Sequence, residues 1–159
     1  ARPVRGTDEP IELPVLSMGM APTDDGEGHG VIVRSGYAFQ VWLGTQQGRT
    51  VVGMAEPMDI GGSAAIGRGP TPDAAEVLWC CYAWPLQPGN SGNRSFFINQ
   101  EGDVLVLKDV GRYHGIPGEG GSGPSFDAAC TLAGDLSSPL GCGKRGVDGA
   151  IWTIVGLGD

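Results

Sequence analysis

The sequence predicts a mainly β domain: an antiparallel sheet carrying long glycine- and proline-rich loops. Three observations predict it. Residues 31–43 alternate, with Val31, Val33, Tyr37, Phe39, Val41 and Leu43 on one parity, the mark of a half-buried strand. Residues 94–99 and 103–107 are short apolar runs joined by Gln100-Glu101-Gly102, a tight loop with glycine where a positive φ is needed. Glycine (29) and proline (12) supply about a quarter of the 159 residues, yet 40% are hydrophobic, which favours an ordered domain over a disordered chain. At this length one domain with one core is expected, residues 1–159.

The elements follow in order. Residues 1–30 read as an extended segment punctuated by Pro3, Pro10, Pro14 and Pro22, with Val15, Leu16 and Met18 tucked against the core and an acidic loop at 23–30. The sheet core spans 31–107. Its first strand, 31–43, has room for a bulge or bend at Ser35-Gly36. Residues 49–54 are a shorter strand candidate, and 56–73 a long exposed loop. Residues 76–84 form a second strong strand ended by Pro85, and the 94–107 hairpin follows. The loop region 108–159 contains a flexible 111–123 stretch, a short helix from Ser125, and a last strand at 150–155 carrying Trp152.

Eighteen acidic against ten basic residues give a net charge of −8. An anionic membrane surface or a nucleic-acid backbone repels such a chain, so neither is an expected partner. No run of eighteen apolar residues is present, so no transmembrane helix is expected in these residues, and neither is a signal segment.

Four cysteines allow three fully paired connectivities. Cys80 and Cys81 are neighbours on a strand and point to opposite faces, so they are not expected to bond each other. Cys130 and Cys142 close a short Gly/Ser/Pro-rich loop, where a bridge contributes roughly 3 kcal/mol. The favoured reading is a Cys130–Cys142 disulfide, with one buried and one outward-facing thiol at 80 and 81. The alternative joins the adjacent pair to Cys130 and Cys142. Either suits an oxidising, extracytoplasmic setting.

Chemistry is sparse. Gly118, Gly120 and Gly123 satisfy G-x-G-x-x-G, but no strand precedes them and no βαβ unit exists, so they read as loop glycines. His29 and His114 stand in no metal spacing with cysteine. A triad composed of Ser122, His114 and Asp109 lacks a nucleophile elbow. Asp24, Asp25 and Glu27 are a weak Ca²⁺ candidate, because hard cations accept loop carboxylates, but a solvated acidic turn is the simpler reading. Asn93-Arg94-Ser95 is a formal glycosylation sequon. Trp42, Trp79, Trp84 and Trp152 are read first as packing, though an exposed Trp42 would mark a contact surface. No cofactor is implied, and the expectation is a building block rather than an enzyme.

RSGYAFQVWL (34–43), AEVLWCCYAWPLQPGNSGNRSFFINQEGDVL (75–105) and Phe126-Asp127-Ala128-Ala129 together resemble the C-terminal head of type IV pilin-like and pseudopilin proteins. The similarity covers residues 4–152. It implies an α+β subunit of an extracellular filament or secretion pseudopilus, in which the sheet packs on an N-terminal helix and neighbouring subunits meet through that helix. It also implies export and a C-terminal loop bounded by Cys130 and Cys142. The helix itself is not in this sequence, so truncation, a separate partner chain, or loss are all open. The resemblance makes Tyr37, Phe39 and Val41 the helix- or subunit-contact face and predicts an apolar strip beside them. The alternative function is a secreted glycan- or surface-binding β module, using Trp42 and the loops 56–73 and 111–123.

Overall fold

The computed structural model describes residues 22–56 and 70–156. Within them the expected mainly β architecture is present, as one antiparallel sheet of eight strands and one short helix. The elements are β1 (Pro22–Asp24), β2 (Gly30–Arg34), β3 (Tyr37–Gln47), β4 (Thr50–Ala55), α1 (Pro72–Val77), β5 (Trp79–Pro85), β6 (Ser95–Asn99), β7 (Val104–Leu107) and β8 (Thr153–Ile154). The strand order is β1-β2-β3-β5-β6-β7-β8. β5 pairs with Tyr37 to Leu43 of β3, while β2 takes Tyr37 to Phe39 and β4 takes Trp42 to Gln47. The long β3 therefore shares one edge between β2 and β4 and gives the other to β5.

Several sequence expectations change. The single strand over 31–43 is two strands, because Ser35 (φ 51°) and Gly36 (φ 79°) make a two-residue turn rather than a bend. Positive φ at both central positions matches the twist of the flanking strands. Parity flips across such a turn: Val33 pairs with Ala38, so Val31 and Val33 lie on the face opposite Tyr37 and Phe39. The strand expected from residue 76 begins only at Trp79. Glu76 and Val77 belong to α1, started by Pro72 in its first turn. Strands at 50–55, 95–99 and 104–107 match expectation, and Gly102 takes φ 81° in the hairpin loop. The 125–132 segment is not a helix but a series of turns, closed by Ala128 N–H to Ser125 O (3.1 Å) and Cys130 N–H to Asp127 O (2.8 Å). The stretch 111–123, expected to be flexible, is internally bonded through His114 and Ser122, whose amides and carbonyls pair at 2.9 and 2.7 Å. Residues 57–69 and the apolar run Val15, Leu16 and Met18 lie outside the described residues.

The core lies on one side of the sheet. Ala38, Cys80, Tyr82, Trp84, Phe97 and Leu105 face it, and Tyr113, Ala128, Ala129, Leu136, Ala150 and Trp152 cover them. Tyr82 stands at the centre, 5.0 Å from the Phe97 ring and 5.6 Å from Trp152 between centroids. Its hydroxyl donates to Phe126 O (3.2 Å) and accepts the Ala129 amide (3.1 Å). Trp84 Nε1 donates to Gly115 O (2.9 Å), and Asp148 accepts from Tyr113 Oη (2.7 Å) and Trp152 Nε1 (3.1 Å). Side-chain hydrogen bonds thus hold an irregular C-terminal layer against a regular sheet, satisfying polar groups that burial would otherwise penalise.

Helix α1 sits on β3 through Gly44. The Gly44 amide donates to Leu78 O (2.8 Å), and a Cβ there would lie 2.8 Å from Ala74 O and 2.9 Å from Leu78 O. Both neighbours are backbone and cannot swing aside. Gly44→Ala is expected to destabilise the chain by about 1–3 kcal/mol, read as a lowered urea midpoint at unchanged slope.

Candidate functional site

The side of the sheet opposite the core is built from the other parity of the same strands. Register places Phe39, Ala83 and Phe96 on one rung, and Val41, Cys81, Ile98 and Val104 on the next. Tyr37 stands one rung further along β3, opposite Pro85, with its ring 6.2 Å from Phe96. These side chains form an open groove of about 410 Å³, lined by Tyr37, Phe39, Cys81, Ala83, Phe96 and their neighbours Phe97, Ile98 and Val104. No charged residue lines it. Tyr37, Phe39 and Val41, Cys81 and Ala83 are half-buried, and Ile98 and Val104 are exposed. Single exposed apolar residues are ordinary on a protein surface; here several lie side by side with no charged residue among them.

Tyr37 and Phe39, which the sequence reading assigned to a helix- or subunit-contact face, line the groove. Val41 shares the face by register, outside the groove itself. The sequence reading missed Ala83, Phe96, Ile98 and Val104. The alternation in β5, with Cys80, Tyr82 and Trp84 inward, carried the signal for Ala83. Cys80 is buried and Cys81 partly exposed, as their adjacency on a strand requires. Burial pushes the Cys81 thiol up to about 11, so it stays neutral and adds no charge to the groove.

The expected Cys130–Cys142 disulfide is not formed: all four cysteines are free thiols. The Cys130↔Leu140 bridge brings the two segments together, but Cys130 turns into the core while Cys142 is exposed. Burial, then the nearby carboxylates of Asp127 and Asp135, push the Cys130 thiol up to about 11.

In the acidic loop the carboxylates of Asp24 and Asp25 accept the loop's own amides. Asp24 Oδ1 accepts the amides of Gly26 (2.8 Å) and Gly28 (2.9 Å), and Glu27 is exposed. Asp25 is buried. Its Oδ1 accepts the amides of Glu27 (2.8 Å) and His29 (3.1 Å), and its Oδ2 accepts from His29 Nδ1 (3.0 Å) and Gln40 Nε2 (3.3 Å). Among the described residues no group of three or more His, Cys, Asp or Glu side chains is placed to hold a metal ion. These carboxylates close the β1–β2 turn instead.

Burial raises the Asp25 pKa, but the hydrogen bonds from Glu27 and His29 and the charge of His29 outweigh it, leaving the value below the ordinary 3.8. A carboxyl whose folded pKa is depressed stabilises above its unfolded value and loses that contribution as pH falls through the folded one. Asp25→Asn is therefore expected to lower the urea midpoint at pH 6, with the gap to wild type closing as pH drops below about 4. A gap that widened on acidification would contradict this. Asp135 is depressed as well, by Ser137, and is common to both proteins in that comparison.

The other chemical candidates dissolve on geometry. Ser122 and His114 pair through their backbones, but His114 Nδ1 approaches Gly111 O (3.3 Å), and Asp109 pairs with Arg112 (3.0 Å). Gly118, Gly120 and Gly123 lie in the irregular segment between β7 and β8. Trp42 packs on the core side against Phe126 (6.1 Å), Trp84 and Trp152 are fully buried, and Trp79 is half-buried at the rim of a second cavity. In the sequon, Ser95 is buried in β6, and Asn93 Oδ1 accepts the Gly89 amide (2.8 Å). That second cavity, of about 330 Å³, lies between the β6–β7 turn and residues 136–142. There Asn99 Oδ1 already accepts the Glu101 and Asp103 amides at 3.1 and 3.0 Å. Among the described residues no helix is long and apolar enough to cross a membrane. Comparison with protein-family models, with curated proteins and with solved structures finds no match to this chain.

Proposed function

We propose that this chain is the outward head of a type IV pilin-like or pseudopilin subunit, a structural protein of an exported, extracellular filament. In this reading the groove face of β3, β5 and β6 packs on a helical stem supplied by residues outside those described, in the same or a separate polypeptide. One observation carries the reading: a sheet with a fully packed side also presents a charge-free apolar groove on its other side. Leaving such a face in water forgoes about 25 cal/mol for every Å² of apolar surface an occupant would cover. The loops and the C-terminal layer then form the outer surface, and assembly is the mechanism, with neighbouring subunits meeting through their stems.

Electron cryomicroscopy of the native assembly, isolated with an antibody to this chain, tests the proposal. The expected density is a helical core with a sheet lying on it, in which Trp84 and the Asn99–Asp103 turn can be placed. A native particle holding this chain with no helix against the β3–β5–β6 face would overturn it.

A further inference from the structure

The second cavity lies on the core side of the sheet, away from the open groove. Phe97 and Leu105 line it from β6 and β7, and Leu136 and Leu140 line it from the segment that covers them. At about 330 Å³ it falls within the size range of small-molecule sites, which pair mostly apolar walls with a few placed polar groups. No lysine, arginine or histidine lines it. Glu101 and Asp103, on the β6–β7 turn, do line it and are both exposed, so they mark its mouth.

Asn99 is the polar group on the cavity wall whose bonding is incomplete. It closes β6 and is only 8% exposed. Its Oδ1 is occupied by the Glu101 and Asp103 amides. Its Nδ2 carries two hydrogens yet has one contact, at 3.4 Å to Asp103 Oδ2, longer than the usual range of about 2.7–3.2 Å. A buried amide donor with capacity to spare carries a cost that an acceptor in the cavity removes.

We propose that the cavity binds a small apolar amine bearing an oxygen acceptor beside its charge, a ligand of the amino-alcohol class. Its hydrocarbon body lies against Phe97, Leu105 and Leu140, out of water. Its ammonium pairs with Glu101 and Asp103, and its oxygen accepts from Asn99 Nδ2. These three residues share one turn, closed by Asn99 Oδ1, so the charged and hydrogen-bonding ends of the site stand together. An anionic ligand meets two like charges there, and a plain hydrocarbon leaves the amide without its acceptor. The net charge of −8 also draws cations toward the chain. The cavity and the groove lie on opposite sides of the sheet, so failure of either proposal leaves the other standing.

The test is a titration of the full chain with phenylalaninol, followed by backbone amide NMR shifts. Residues 99–103 and 136–142 are expected to shift along one isotherm, with Kd on the order of 1 mM for a ligand of this size. Phenylpropanol keeps the hydroxyl and loses the amine, and should bind about five- to tenfold more weakly. Phenethylamine keeps the amine and loses the hydroxyl, and should bind about threefold more weakly. Phenylalaninol should also slow alkylation of Cys142, which is exposed and lines the cavity, and leave Cys81 on the other side of the sheet unchanged. Glu101→Gln combined with Asp103→Asn should bring phenylalaninol down to the affinity of phenylpropanol; if that variant does not fold, the ligand series on the wild-type chain still decides. Equal affinity for phenylalaninol and phenylpropanol would overturn the proposal. So would shifts confined to Tyr37, Phe39 and Phe96, or no shift up to about 20 mM ligand. Equal affinity for phenethylamine would overturn the part given to Asn99.

Discussion

Trp84→Ala is expected to destabilise the chain by about 3–5 kcal/mol, because it removes a fully buried indole from the centre of the core. Three terms act together: the lost transfer free energy, the cavity left between β5 and the 113–123 segment, and the Gly115 carbonyl stripped of its 2.9 Å donor. Against a typical total of about 5–15 kcal/mol, this is a large fraction. It corresponds to a fall in melting temperature on the order of 10 °C for a domain of this size. Trp84→Phe keeps most of the volume and isolates the hydrogen bond, at a cost of about 1 kcal/mol beyond the lost area. Val77→Ala, at a residue 62% exposed, is the control and should stay within about 0.5 kcal/mol of wild type. Far-UV circular dichroism is the right probe, since Trp84 itself would dominate a fluorescence signal.

Ala83→Asp is expected to leave the isolated chain folded and to abolish its incorporation into the filament proposed above. Ala83 is only half-buried and its face is open, so the carboxylate stays in water while the chain stands alone. Under a docked helix the same carboxylate is desolvated with no cation within the groove lining. An uncompensated buried charge costs about 3–5 kcal/mol, which weakens association by at least about a hundredfold. Ala83→Leu tests shape separately: it adds no charge but fills the groove floor, and it should impair assembly less severely. Co-sedimentation with native filaments reads both. Wild-type incorporation by Ala83→Asp would remove the groove from the assembly interface.

How far these effects were legible in the sequence depends on range. The 95–107 hairpin was legible because its information is local: two apolar runs, and a glycine where the loop turns at φ 81°. The Ser35-Gly36 turn was missed because Val31, Val33, Tyr37 and Phe39 share a parity that reads as one unbroken strand. Only a chain reversal separates them, and a two-residue turn without Asn or Asp gives weak warning. Residues 76–77 were read as strand because Val77 and Leu78 extend an apolar run. The helix start signal lay upstream in Thr71-Pro72. The C-terminal layer was illegible for a different reason. Asp148 meets Tyr113 across 35 residues, and Tyr82 meets Ala129 across 47, contacts with no local periodicity to announce them. The candidate face was half legible. Parity separates Cys81 and Ala83 from Tyr82 and Trp84, but which side stays open depends on where residues 113–152 fold back.

The most direct measurement is the binding of the apolar dye ANS to the isolated chain, with light scattering on the same sample. An open groove beside Tyr37, Phe39 and Ala83 predicts a clear rise in dye fluorescence that Ala83→Asp removes without unfolding the protein. A dispersed monomer that leaves the dye dark, in wild type and variant alike, would mean that the face is already covered, and would contradict the account.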